Sequence, residues 1–202
     1  MFQWFREGGP VMWPILVTSM VALTTVIERL LFVAREARRR RPEIVEKIFS
    51  CVQAGQIDEA IKQGKDCRDF LVKILVYGLS ERKKSFSNAL SRAAGQELKR
   101  FNQGLSTLDT IITLAPLLGL LGTVTGMIHA FGLLGQSELG APAAITGGIA
   151  QALIATACGL GIAITALIPF NYFNTLLEET RHEIEDISTR LELLLLKSGE
   201  GA

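Results

Sequence analysis

The chain has no Asp, Glu, Lys or Arg from Thr110 to Ser137, and none again from Leu139 to Leu177. Only Glu138 separates the two stretches. A helix on the surface of a soluble domain keeps a charged face, and these stretches have none. Each exceeds the ~20 apolar residues that a helix needs to cross a bilayer core of ~30 Å, so both read as membrane spans. Neither can hold a proton on a carboxylate of its own. Cysteine and histidine are also scarce. Cys51, Cys67 and Cys158 make no CxxC spacing, and two distant histidines make no Cys/His cluster. That argues against a disulfide framework, a metal site and any other cofactor. No span contains a Ser/His pair, two aspartates or a metal ligand set, so no catalytic residue is assigned and an enzyme is not expected. A net charge of +1 gives no case for binding nucleic acid.

What the chain has in quantity is apolar residues, at 49%, and 19 glycines, with a mean hydropathy of +0.32. A further apolar run, Val11 to Ile27 and then Leu30 to Ala34, is interrupted by Glu28 and Arg29. It makes one span if that pair lies near its end, where Arg29 snorkels to the headgroups and Glu28 pairs with it or with a neighbouring subunit. Trp4 and Trp13 bracket Pro10 as interface anchors. Of the 21 Lys and Arg, 16 lie between Arg35 and Asp109, and Arg35 and Arg38 to Arg41 follow the first span directly. The positive-inside rule places them in the cytoplasm. Basic residues that follow the first apolar run, instead of preceding it, argue against a secretory signal peptide. Parity then orders the chain. Residues 1–10 lie outside (the periplasm, on the resemblance given below), 11–34 are the first span, and 35–109 a cytoplasmic helical region. Residues 110–134 are the second span, 135–140 an outer turn, 141–174 the third span, and 175–202 a cytoplasmic C-terminal helix. The partner common to all of this is the lipid bilayer.

The cytoplasmic region reads as short helices. Pro42 suits a first helical turn, and Ile44, Ile48, Phe49 and Val52 share a face. Ile57, Ala60 and Ile61 make a second helix ending at Gly64, and Phe70 to Leu79 a third. Ser85 begins a long helix expected to continue without a break into the second span. After Thr175, Leu177, Ile184, Ile187, Leu191 and Leu194 recur at helical spacing among Glu178, Glu179, Glu183, Glu185 and Asp186. This region is too small for a large core of its own, and packing against sibling subunits is the natural remedy.

Within the second span, Gly119, Gly122 and Gly126 fall at i, i+3 and i+7, a stripe for close helix approach. Pro116 removes one backbone donor. The third span carries Gly148, Ala152, Ala155, Gly159, Ala163 and Ala166. Thr123 and Thr156 lie near the middles of their spans, at similar depth if the spans are antiparallel, with Gln151 nearer the outside. Two roles stay open for each polar side chain. A threonine bonds its own preceding turn, and a glutamine glues helices together, or both line a polar path. His129, nearer the outer end, is a weaker candidate. Arg38 to Arg41 either fix topology, the favoured reading, or bind anionic lipid. Lys83, Lys84, Lys99 and Arg100 face a vestibule or plain solvent.

Leu117–Met127, LLGLLGTVTGM, and Gly148–Leu160, GIAQALIATACGL, together resemble the signature of the MotA/TolQ/ExbB proton-channel family. IERLLF at Ile27–Phe32 and the segment Gly55–Leu79 are similar to that family's first helix end and cytoplasmic segment. The resemblance spans the chain and is most like an ExbB or TolQ subunit. It implies an all-α integral membrane protein with three transmembrane helices and long cytoplasmic helical extensions. It further implies a ring-forming homo-oligomer, typically a pentamer, in the bacterial inner membrane. The ring would enclose two copies of an ExbD/TolR-like protein, whose single membrane helix carries an Asp. Thr123 and Thr156 match the family's pore threonines, and Asn171 an asparagine near the inner end of the third helix. Two departures stand out. Gln151 replaces a Glu found in many relatives and cannot ionise, and Thr165 stands where the family has Pro, with Pro169 one turn later.

The resemblance implies a proton-channel subunit of an inner-membrane motor that energises an outer-membrane process through a TonB/TolA-like protein. TonB-dependent transport leads, with the Tol-Pal envelope system as its near rival; a stator is disfavoured because no large cytoplasmic insertion is present. A non-conducting scaffold is the rival of another class. The physics agrees with a motor. A potential supplies ~2.3 kcal/mol per charge per 100 mV, and only a titratable group at mid-membrane can draw on it. Spans two and three have no such group, so another polypeptide must bring it. Threonine hydroxyls both donate and accept, which suits them to surround it.

Overall fold

The computed structural model describes residues 8–134 and 142–197, and for residues 83, 84, 133, 134 and 142–145 the backbone alone. Trp4, the turn at 135–140, the side chains of Lys83 and Lys84 and the last residues of the C-terminal helix lie outside the described residues. Among those described, every regular element is a helix. They are α1 (Met12–Arg39), α2 (Pro42–Gln53), α3 (Ile57–Gly64), α4 (Phe70–Ser80), α5 (Arg82–Asn102), α6 (Leu105–Leu134) and α7 (Pro142–Lys197). Three stretches, in Met12–Arg39, Ser85–Gly132 and Thr146–Lys197, are long and apolar enough to cross a membrane. The chain divides into two compact units. The first joins the chain up to Arg29 with Gly104–Phe173, and the second joins Leu30–Gln103 with the chain from Asn174 onward.

The long helix expected to run from Ser85 into the second span is interrupted. Gln103 has φ −58° and ψ 134°, and Gly104 has φ +81°, a left-handed conformation that glycine adopts without strain. The turn pattern on either side is fully helical, so the hydrophobic periodicity hides the break. Gly104 also makes room for a neighbour, since a Cβ there would lie 3.3 Å from Arg29 Nε and 3.2 Å from Thr25 Cγ2. Arg29 is accordingly buried, with its side chain 3% exposed, while Glu28 is 56% exposed. The guanidinium holds the Glu28 carboxylate through Nη2–Oε1 at 2.6 Å and Nε–Oε2 at 3.0 Å. Arg29 is thus packed beside Gly104 and not turned outward, and of the two pairings expected for Glu28 the structure shows the one with Arg29.

In the first unit the start of α1 packs Val11, Met12 and Ile15 around Ala155, with Leu118, Cys158 and Ile162 against them. The outward faces stay apolar: Leu117, Ile128, Leu153 and Ile168 are all exposed. Such a surface belongs against lipid or another subunit.

The second unit is held differently. Ile48, Val52, Ile74, Leu75 and Leu79 are fully buried. Phe101 meets both Phe32 and Phe70 edge-on, each at 5.2 Å between ring centroids. Asp69, itself buried, caps α4 by accepting from Leu71 N at 3.0 Å and also accepts from Arg41 N at 2.5 Å. One carboxylate thus starts α4 and pins the entry to α2. The C-terminal part of α7 turns Leu177, Ile184, Ile187, Leu191 and Leu195 inward. The buried leucine is Leu195, where the periodicity suggests Leu194, which is half-buried. Arg40 pairs with Glu183 and lies 4.9 Å from the Phe70 ring centroid. Arg190 grips Glu46 through two bonds of 2.7 and 2.9 Å and stacks 4.2 Å from the Phe49 centroid.

Two outcomes are expected. Asp69→Ala removes the acceptor of the buried Leu71 N–H and of the part-buried Arg41 N–H and costs about 1–3 kcal/mol, read as a lower melting temperature of the purified protein; an unchanged melting temperature contradicts the double-cap role. The Arg190 bonds hold the Glu46 carboxyl below the usual glutamate range. A lowered folded value stabilises above the ordinary glutamate pKa and loses that contribution as pH falls through the lowered value. The pair is exposed and screened, so it contributes only about 0.2–1 kcal/mol. Glu46→Gln should therefore flatten the loss of hydrogen-exchange protection in α2 and residues 184–195 between neutral and acid pH. A wild-type slope in that variant would contradict the pairing.

Candidate functional site

The candidate site is the seam between α6 and α7 and the faces beside it. The partners run in opposite order: Ala115 meets Gly159, Gly119 meets Thr156, Gly122 meets Ala155, Gly126 meets Ala152 and Gly148, and Ala130 meets Gly148. The helices are therefore antiparallel, and they touch backbone to backbone. A Cβ at Gly119 would lie 3.0 Å from Thr156 Cα, and one at Gly126 the same distance from Gly148 O. A Cβ at Gly159 would lie 3.1 Å from Gly119 Cα and far inside contact distance of Ala115 O. The glycine spacing supplies this approach, and Ala115 and Ala130 extend it by one turn at each end. Those two alanines carry no signal beyond their size and place in the stripe.

The hydroxyls are used in two ways. Thr123 donates to Leu120 O at 2.7 Å, Thr125 to Leu121 O at 2.9 Å, and Thr165 to Gly161 O at 2.9 Å. Each satisfies itself on its own helix. Thr156 instead donates across the seam to Gly119 O at 3.0 Å. Thr156 is half-buried, and its bond ties α7 to the glycine stripe of α6. Thr123 is also half-buried and lines an open groove of about 570 Å³ with Val124, Met127, Ile128 and Phe131. The two threonines thus sit about one turn apart along the seam, one within it and one on the face beside it.

Gln151 points elsewhere. Its amide lies against Gly9, close enough that any Cβ there would collide with Nε2, and Gly9 has φ +74°. The structure places this side chain beside the residues that lead into α1, a neighbour that no sequence spacing announces. Asn171 is exposed on α7 beside Pro169, which the helix accommodates without ending. His129 is exposed near the outer end of α6. Among the described residues no three His, Cys, Asp or Glu could hold a metal ion together.

These features define a class: a helical membrane protein whose two charge-free spans meet through glycines and carry hydroxyls. The comparisons with known proteins specify it. Residues 66–186, more than half the chain, match the model of the MotA/TolQ/ExbB proton channel family, and the chain belongs to that family. It is 36% identical over 197 residues to an ExbB-like biopolymer transport protein of a Synechocystis species, covering 94% of this chain and 77% of that one. A second ExbB-like protein of the same source is 34% identical, over 93% of this chain and 91% of its own. The biopolymer transport protein ExbB of Neisseria gonorrhoeae is 36% identical over 107 residues, 53% of this chain and 49% of its own.

The seam yields a direct test. Gly159→Val puts a branched side chain onto a backbone carbonyl that cannot move aside, and should cost about 1–3 kcal/mol or abolish assembly. Gly161→Ala, where nothing lies within 4 Å, should be silent. Equal melting temperatures for the two variants would contradict the seam.

Proposed function

We propose that the chain is a proton-channel subunit of an inner-membrane motor, with its N-terminus periplasmic and its C-terminus cytoplasmic. Copies form a ring, on the family pattern a pentamer, around an ExbD/TolR-like helix that carries the titratable Asp. The ring's threonines surround that Asp, and the motor drives a TonB/TolA-like protein. The observation that carries the reading is Thr156 bonding to Gly119 O within two spans devoid of carboxylates. TonB-dependent transport is the preferred context, supported by the ExbB names of the relatives, and a Tol-Pal role shares the same mechanism.

The hydrogen bonds give the threonines a direction. Both Thr123 and Thr156 spend their proton on a backbone carbonyl, which leaves lone pairs to face a visitor. In that state they accept from a protonated carboxylic acid. Rotation of the hydroxyl turns it into a donor for the carboxylate. Gln151, which cannot ionise, holds the helix assembly beside Gly9 and takes no part as a proton carrier.

The experiment reconstitutes the chain with its partner in vesicles and measures proton uptake under an imposed potential. Thr156→Val is expected to cut uptake by about a hundredfold or more, the range in which a positioned proton-transfer group acts, with the assembly intact by size-exclusion chromatography. Unchanged uptake in an intact assembly contradicts the pore assignment.

A further inference from the structure

The five arginines after the first span are not equivalent. Arg40 is occupied by Glu183 and the Phe70 ring. Arg39 lies 3.8 Å from Glu36, whose side chain is only 5% exposed. Arg41 lies beyond the end of α1, its backbone tied to Asp69. Arg35 and Arg38 remain, both exposed and, among the described residues, without an ion-pair partner. Leu31, Arg35 and Arg38 fall at i, i+4 and i+7, on one face of α1. Leu31, on that face, is 52% exposed, and Leu30, one step around the helix from it, is 50% exposed. Glu36, the acid of this turn, points to the opposite face and is buried.

We propose that Arg35 and Arg38 form a headgroup site for an anionic phospholipid of the cytoplasmic leaflet. This rests on the reading of α1 as a membrane span with Arg35 on the cytoplasmic side. The order along the face decides the ligand. Apolar Leu30 and Leu31 come first, and the guanidinium of Arg35 follows about 6 Å further along the axis. One phospholipid presents the same order, acyl chain and then phosphate. A free phosphate would have no use for the leucines. Two guanidiniums one turn apart present forked donors to one phosphate. Glu36 is buried off this face, and Glu28, which shares it two turns before Arg35, is already held by Arg29 through two hydrogen bonds. A pure topology signal needs only the charge, and Arg39 to Arg41 already supply it. The face of Arg35 and Arg38 is what that role does not explain.

The test uses the full chain purified as its assembly in detergent. Phosphatidylglycerol, phosphatidylcholine or inorganic phosphate is added, and bound lipid is counted by native mass spectrometry alongside the melting temperature. Wild type should retain phosphatidylglycerol over phosphatidylcholine and melt higher with it, and inorganic phosphate should give no shift. The Arg35→Gln/Arg38→Gln variant should bind phosphatidylglycerol on the order of tenfold more weakly, since each arginine near an anionic surface contributes appreciably. Arg39→Gln should bind as wild type. Arg35→Lys/Arg38→Lys should keep part of the preference if the double Gln variant fails to fold. No lipid preference in wild type, undiminished preference in the double Gln variant, or replacement of the lipid by inorganic phosphate each overturns the site. Protease access to residues 42–103 in sealed vesicles of each orientation separates the failures. Cleavage only from the cytoplasmic face with no lipid preference rejects the site alone, and cleavage from the opposite face rejects the span reading with it.

Discussion

The rest of the membrane unit depends on how closely α6 and α7 approach. Hydrocarbon gives two apolar helices no hydrophobic reason to meet, so contact must come from van der Waals packing and hydrogen bonding. Five small residues on α6 face small residues on α7, and the backbones touch. Only at that distance can the Thr156 hydroxyl reach Gly119 O. A single such bond contributes about 0.6 kcal/mol in a membrane, so packing carries the association and the bond sets its register. With no Asp, Glu, Lys or Arg from Thr110 in α6 or up to Leu177 in α7, the hydroxyls and backbone carbonyls are the main polar groups the proposed pore has to work with. That is why the proposed function takes its acid from another chain.

The second unit obeys the rules of water-soluble proteins. Its core is aliphatic and aromatic, and its buried Asp69 is fully engaged. Arg40 and Arg190 fasten the C-terminal helix by ion pair and ring stacking at once. Both α1 and α7 contribute residues to each unit, so each is one continuous helix that takes part in two cores. The chain marks the change in α7 by its first carboxylates, Glu178 and Glu179. Leu193 and Leu196 remain 62% and 58% exposed.

The sequence discloses what depends on local pattern. Charge-free runs identify the long apolar helices, and glycine spacing defines one face of α6. Punctuation at Gly64 and the run from Phe70 delimit the short helices. It conceals what depends on a single dihedral angle or on a distant neighbour. Gly104 sits within an apolar pattern that continues on both sides, and the extended ψ of Gln103 together with the positive φ of Gly104 ends α5. Arg29 looks like a snorkelling residue until the space beside Gly104 buries it. Gln151 and Thr156 are similar signals in one dimension, a polar side chain among small ones. Their neighbours, Gly9 and Gly119, are far away in the chain, and it is these that separate a packing contact from a hydroxyl held at a carbonyl.

The central claim is that these spans provide the surroundings for proton transfer and leave the acid to another chain. Proton flux through vesicles containing this protein alone, compared with vesicles that also contain a single-span partner bearing a membrane Asp, tests it most directly. The account requires no potential-driven flux above that of empty vesicles from the protein alone, and flux once the partner is present. Flux of equal size without the partner would contradict it.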